Sequence, residues 1–301
     1  MVSSKDPIFE EIRDLNFSQV GKKLNSAAKR LNQNYDSRHQ AQTVKEIKSF
    51  IGKLGNLQSE HKSLQAHTNI TEHLMNVINL PDFLKMLEAQ QMIIGGMNND
   101  ERNHVISIIE EFIYLHMPLE HTMRLICLMC IEINGFKPKL FDFLRKELII
   151  TYGYQYLPLL YNLEQMNLFF PHQSKKNSMP QIRKQLNLIV DYVEDENPKD
   201  IAFSYSGYAP ISIRLIEYML SKPFEQLSVF EEDLFIRDQK SNIDRVTKST
   251  SKRYLVTFVG GCTQSEISCL RVLGRIMKCQ FTIITTCILN GDDVISSAQK
   301  V

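Results

Sequence analysis

The chain has 301 residues, 43% of them hydrophobic and 23% charged, which excludes wholesale disorder and a membrane-embedded fold and leaves enough length for a large core without disulfide or metal staples. Lys and Arg number 35 against 34 Asp and Glu, a net charge of +1, so no global field draws in nucleic acid or acidic lipid and any such partner needs a local patch. The six cysteines are Cys127, Cys130, Cys262, Cys269, Cys279 and Cys287. No apolar run follows a basic start, and the richest apolar run, Met123 to Ile133, is broken by Arg124 and Glu132. The cysteines therefore read as free thiols in a reducing cytosolic setting, with any membrane contact peripheral.

From Phe17 to Tyr35 the apolar residues Phe17, Val20, Leu24, Ala27, Ala28 and Leu31 recur at three- and four-residue steps, which predicts an amphipathic helix. A second helical run carries Val44, Ile47, Ile51 and Leu54, then Leu57, Leu64, Leu74 and Ile78 beyond a break expected at Gly52 and Gly55. The two form an expected antiparallel pair. Further helices are predicted at 81–94, 101–115, 118–133, 137–150, 154–168 and 179–193, separated by Gly, Pro and Asn.

The texture changes after Asn197-Pro-Lys-Asp200. Ile201 to Tyr205 reads as a strand, Ser206-Gly207 as a turn, and Pro210 to Leu220 as a helix, since proline suits a first helical turn. Residues 237–253 are polar and carry six basic residues, including Arg237 and Arg253; they read as a surface loop or as a patch for an anionic membrane or acidic partner. Tyr254 to Val259 and Phe281 to Thr286 are β-rich, and the segment between them turns at Gly260-Gly261 and has helical spacing from Ser265 to Met277. That is a βαβ unit with parallel strands. So few strands leave faces and edges uncovered, so the chain reads as part of a larger protein or a truncated gene product. The expected fold is mainly α with a C-terminal α/β portion holding an incomplete parallel sheet.

Residues that promise chemistry are few. Cys127-Leu-Met-Cys130 has zinc-knuckle spacing but lies in an apolar helical run with no second pair, so it reads as core. The eight histidines are scattered without H-E-x-x-H spacing. No metal, cofactor or catalytic residue is assigned. Gly260-Gly-Cys-Thr263 after a strand resembles a phosphate cradle but lacks the G-K-[ST] lysine and the G-x-G-x-x-G spacing, so tight-turn glycines with Thr263 as a helix cap are the preferred reading. Ser206 lacks the preceding glycine of a nucleophile elbow. The cluster Thr151-Tyr-Gly-Tyr-Gln-Tyr-Leu157 presents large amphipathic rings, which either pack between helices or form an interface.

Several motifs in one order carry a family resemblance. Tyr205-Ser-Gly-Tyr-Ala-Pro210, Ile211-Ser-Ile-Arg-Leu215, Phe258-Val-Gly-Gly-Cys-Thr263, Glu266-Ile-Ser-Cys-Leu-Arg271 and Thr285-Thr286 resemble the C-terminal part of the Sec/Munc (SM) family of vesicle-fusion regulators. Glu11-Ile-Arg-Asp14, Arg38-His39, Thr43-Val-Lys-Glu-Ile-Lys48, Thr151-Tyr-Gly-Tyr154 and Asn162-Leu-Glu164 narrow it to the vacuolar-sorting branch. The resemblance implies a non-enzymatic protein that binds SNARE helices within the HOPS and CORVET tethering complexes, cytoplasmic and peripheral on late endosome and lysosome or vacuole membranes. It implies a helical arm over 1–80, a helical domain over 81–197, and a segment over 198–301 returning to the family's α/β second domain. It also implies that Tyr154 and Leu157, with Tyr152 beside them, contact an α-solenoid partner subunit. The family's N-terminal domain, where many members hold a syntaxin-type SNARE, has no counterpart here. A nucleotide-binding or enzymatic protein using the Gly260-Gly261 turn, and a non-functional fragment, are the rival readings.

Overall fold

The computed structural model of the chain describes residues 6–40, 44–172, 174, 177–194, 198–221 and 252–300. Helix α1 (Pro7–Ile12) begins where Asp6 accepts hydrogen bonds from the amides of Ile8 (2.9 Å) and Phe9 (3.4 Å), with Pro7 in the first turn. Helix α2 (Phe17–Gln40) packs along α3 (Val44–Ile78), and Val20, Leu24, Ala27 and Leu31 are buried as their period requires. The expected break at Gly52 and Gly55 does not occur: α3 runs through both. Each glycine costs a helix only about 1 kcal/mol relative to alanine, and packing against α1 and α2 outweighs that. His67 of α3 is buried, stacks on Phe9 with ring centroids 6.1 Å apart, and meets Asp6 Oδ2 at 3.2 Å. It fastens α1 to α3.

The main apolar core is built by α4 (Pro81–Gly95), α5 (Asn99–Tyr114), α6 (Leu119–Ile133), α7 (Pro138–Tyr152) and α8 (Leu157–Gln165). Asn98 caps α5 in a reciprocal capping box with Glu101. Phe112, Met123, Leu125, Ile126 and Phe136 are almost wholly buried here, with Phe169 packed edge-on to Phe136. The helix predicted at 154–168 is split into a 3-10 turn, Tyr154–Tyr156, and α8, because Pro158 belongs in a first helical turn. The helix predicted at 179–193 stops early. Helix α9 (Met179–Gln185) is followed by Asn187 in the left-handed region (φ 49°), and Leu188 to Val190 then bond to the backbone of Gly207 and Ala209. Left-handed backbone is a state that asparagine tolerates better than most residues.

The strand expected at Ile201 to Tyr205 is instead a 3-10 turn, Ile201–Ser204. Asp200 caps it by accepting from the Ala202 amide at 2.7 Å, and Arg214 holds both Asp200 carboxylate oxygens at 2.9 and 3.0 Å. Ile201, Ala202 and Phe203 are all buried, a run that a half-exposed strand with alternating faces does not give. Helix α10 (Ile211–Ser221) follows as expected, while most of the 237–253 stretch lies outside the described residues.

The βαβ reading holds. Strand β1 (Arg253–Phe258) pairs in parallel with β2 (Gln280–Thr285), from Arg253 opposite Gln280 to Phe258 opposite Thr285, across α11 (Gln264–Met277). Among the described residues the sheet has these two strands. Val256, Phe258, Phe281 and Ile283 pack with Cys269, Leu270 and Leu273 of α11, whereas Leu255 and Ile284 on the other face are exposed. Helix α12 (Gly291–Lys300) was absent from the sequence-based expectation. It crosses back to the helical core, burying Ile295 and Ala298 against α6 and α8.

Candidate functional site

The expected contact cluster lies where α7 hands over to α8. Gly153 ends α7 at φ 102°, a left-handed conformation that suits glycine. The reversal sends neighbouring tyrosines opposite ways. Tyr152 packs against the main core, and its hydroxyl donates to the Met117 carbonyl at 2.7 Å and meets Thr122 Oγ1 at 3.2 Å. Burial pushes its phenol pKa up, against the Thr122 hydrogen bond that lowers it. Tyr154 is 77% exposed. Leu157 is half-buried at the start of α8, whose inner face of Leu159, Leu160 and Leu163 is buried.

Tyr161 is also exposed, one helical turn beyond Leu157, and Ile150 is exposed in the last turn of α7. Tyr154, Leu157 and Tyr161 therefore follow three- and four-residue steps along the outside of the α7–α8 corner, with Ile150 beside them. Exposed aromatics of this kind supply large contact area at low cost in conformational entropy. Sequence reasoning did not single out Tyr161, although its place four residues after Leu157 was the available signal. Helix α12 braces α8 from behind, with the Asn162 side-chain amide donating to the Ala298 carbonyl at 2.8 Å.

The glycine turn after β1 is occupied internally. The Thr263 hydroxyl accepts from the Glu266 amide, and the Glu266 carboxylate accepts from the Thr263 amide at 2.8 Å, a complete capping box. The Gly260 amide goes to Thr286 Oγ1 and the Cys262 amide to the Cys287 carbonyl. The Gly260, Cys262, Thr263 and Glu266 amides are thus paired with protein groups, and a carboxylate already sits at the α11 N-terminus. A side chain at Gly261 would strike Leu289 and Cys287, which accounts for glycine there. Cys127 and Cys130 are buried as the core reading expected. Burial pushes the Cys127 thiol up, and it drives the Cys130 thiol up to about 11 against hydrogen bonds that lower it. Neither is a ready thiolate.

Residues 1–297 match the model of the Sec1 family. The chain belongs to the Sec1 family. It is 35% identical over 300 residues to vacuolar protein sorting-associated protein 33A of Rattus norvegicus, covering 96% of the chain and 50% of that protein. It is 32% identical over 314 residues to vacuolar protein sorting-associated protein 33 of Schizosaccharomyces pombe, covering 97% and 52%. This Sec1-family chain thus spans about half the length of the curated relatives it matches. The Unc18 chain in the crystal structure of the Unc18–syntaxin 1 complex from Monosiga brevicollis shares its fold, with a TM-score of 0.67 at 15% identity, over 99% of this chain and 51% of that one. Among the described residues no helix is long and apolar enough to cross a membrane.

Proposed function

We propose that this protein is a non-enzymatic SNARE-binding regulator of vesicle tethering and fusion, working as a subunit of HOPS- and CORVET-like complexes at endosome and lysosome or vacuole membranes. Its family membership, the vacuolar-sorting names of its relatives and a structural neighbour solved with a syntaxin support the reading. The observation on the molecule that carries it is an exposed apolar stripe: Ile70, Leu74 and Val77 on the end of α3, then Leu80, Leu84 and Leu87 leading into and along α4. Each triplet steps by four and then three residues, the spacing that offers an amphipathic helix a seat. A SNARE segment that folds on such a surface has part of its ordering cost offset by the contacts it gains.

In this reading residues 1–80 form the arm, 81–197 the helical domain and 198–301 the α/β portion. Tyr154 and Leu157, joined by Tyr161, contact the α-solenoid subunit, while Tyr152 sets the corner that presents them. The experiment is a pull-down of the 301-residue chain with the solenoid subunit and with a panel of soluble SNAREs. Binding of both is expected, with Tyr154→Asp losing the solenoid subunit and retaining the SNAREs. A folded Tyr154→Asp protein that still holds the solenoid subunit would sink the contact assignment. No SNARE retained on the chain would sink the function.

A further inference from the structure

Between the end of α1, α11 and β2 lies a pocket of about 310 Å³ whose polar lining is dominated by Arg13, Arg271 and Arg275. Among the described residues its single acidic lining residue is Asp14, so two positive charges are in excess there. Asp14 is itself committed: its Oδ1 accepts from Arg271 Nη1 and from Ser268 Oγ, both at 2.9 Å. Its Oδ2 lies 3.9 Å from Arg13 Nε, beyond hydrogen-bond distance. Arg13 Nε is buried and has no hydrogen-bond partner among the described residues. Glu10 approaches Arg13 Nη2 at 3.5 Å, but that carboxylate is 68% exposed and well screened.

Arg275 stands four residues after Arg271 on the same face of α11, and among the described residues no ion pair satisfies it. Two like charges at that spacing repel. Lys252 is near enough for its charge to act on the Cys279 thiol, which also lines the pocket. Asp14, the exposed Glu10 and the fractional negative charge at the α11 C-terminus are the negative groups set against these cations among the described residues.

We propose that this pocket binds a phosphoryl group, carried either by a soluble phosphate ester or by a membrane phospholipid headgroup. A phosphate monoester brings close to the two negative charges that the lining lacks, and its three terminal oxygens match three guanidinium forks. A single carboxylate would leave one cation uncompensated. None of these residues belongs to the α7–α8 corner or to the apolar stripe, so the site stands apart from the SNARE reading.

The test is calorimetric titration of the chain with sodium pyrophosphate at fixed ionic strength, alongside co-sedimentation with phosphatidylcholine vesicles with and without phosphatidic acid. Arg275→Gln is the informative variant, because Arg275 is exposed and its loss leaves no buried partner unpaired; matching thermal melts would verify its fold. Lys139→Gln, an exposed lysine of α7, is the control. Pyrophosphate binding that weakens about tenfold or more in Arg275→Gln is expected, since hydrogen bonds to charged groups are worth that much, with Lys139→Gln binding like wild type. Arg275-dependent capture by phosphatidic acid vesicles would assign the lipid source, and pyrophosphate binding without such capture would assign a soluble ester. No binding of either probe, or equal weakening in both variants, would overturn the proposal.

Discussion

Replacing Tyr154 by alanine and Tyr152 by phenylalanine tests the proposed split between an interface tyrosine and a structural one two residues away. Tyr154 is 77% exposed, so its truncation falls within the ±0.5 kcal/mol typical of surface changes and the denaturation midpoint should not move. A tyrosine buries roughly 150–250 Å² when fully covered, and about three quarters of that is still available here. At ~25 cal/mol/Å² this gives an upper bound of about 5 kcal/mol for docking. Ordering and desolvation costs leave about 2–3 kcal/mol, a loss of roughly 30- to 150-fold in affinity for the solenoid subunit. Tyr152→Phe keeps the ring but removes the hydroxyl that donates to the Met117 carbonyl and meets buried Thr122. It should cost about 1–2 kcal/mol of stability with little effect on affinity under conditions where the protein stays folded. Urea titrations followed by circular dichroism, together with calorimetry against the subunit, measure both quantities. A Tyr154→Ala protein that loses stability, or a folded Tyr152→Phe protein that loses the partner, would refute the division of labour drawn from the Gly153 reversal.

The arm offers a pH test. Asp6 is penalised by burial, but hydrogen bonds from Ser63, the Phe9 amide, His67 and the Ile8 amide outweigh that and hold its carboxyl below the usual 3.8. A lowered folded pKa contributes stability that is present above the unfolded value and lost as pH falls through the folded one, so Asp6→Asn should weaken the wild type's excess loss of stability below about pH 4 in acid denaturation curves. Arg214 is buried between Asp200 and Glu217, each about one third exposed, and Arg214→Met should cost about 2–3 kcal/mol, less than a fully buried pair because solvent reaches both carboxylates; thermal melts read it. Leu84→Asp, at an exposed position of α4, should leave the urea midpoint unchanged while abolishing SNARE retention in the pull-down. Ile295→Ala, which empties a 4%-exposed site under α12, should cost about 2–5 kcal/mol and raise proteolysis after α11.

What the sequence disclosed depended on the length of the signal. The helices of the main core carry several turns of apolar period, and α5 announces itself with Asn98 three residues before Glu101; these were legible. The βαβ unit was legible because β-branched and aromatic runs flank a Gly-Gly turn at the required spacing. Helix α1 is six residues long, too short to display a period, and only the Asp6-Pro7 pair marked its start. Helix α12 had a comparable marker, since Asn290 accepts from the Asp292 and Asp293 amides and Asp293 returns a bond to the Asn290 amide. Ile201 to Tyr205 failed for a different reason. Its residue types suit a strand, but the Asp200–Arg214 clamp and complete burial are tertiary effects that a local pattern does not contain. The tyrosine cluster was visible as composition, whereas which ring turns inward is decided by the positive φ of Gly153 and by the Met117 carbonyl, which lies 35 residues away in sequence.

The same long-range logic explains why α12 matters beyond its ten residues. Its N-terminal end carries Asp292, which pairs with Arg124 of α6 at 3.1 Å, and its C-terminal half holds Ala298, whose carbonyl receives the Asn162 side chain of α8. The amide of Leu289, just before it, donates to the Cys262 carbonyl at the turn after β1 at 3.0 Å. A continuous path of packed and hydrogen-bonded groups therefore links the βαβ unit to the inner side of α8, whose outer side presents Leu157 and Tyr161. Rigid secondary elements joined in this way are the physical means by which two surfaces sense one another, provided the path has two discrete arrangements. In the arrangement observed, that path holds the inner side of α8 fixed relative to the turn after β1.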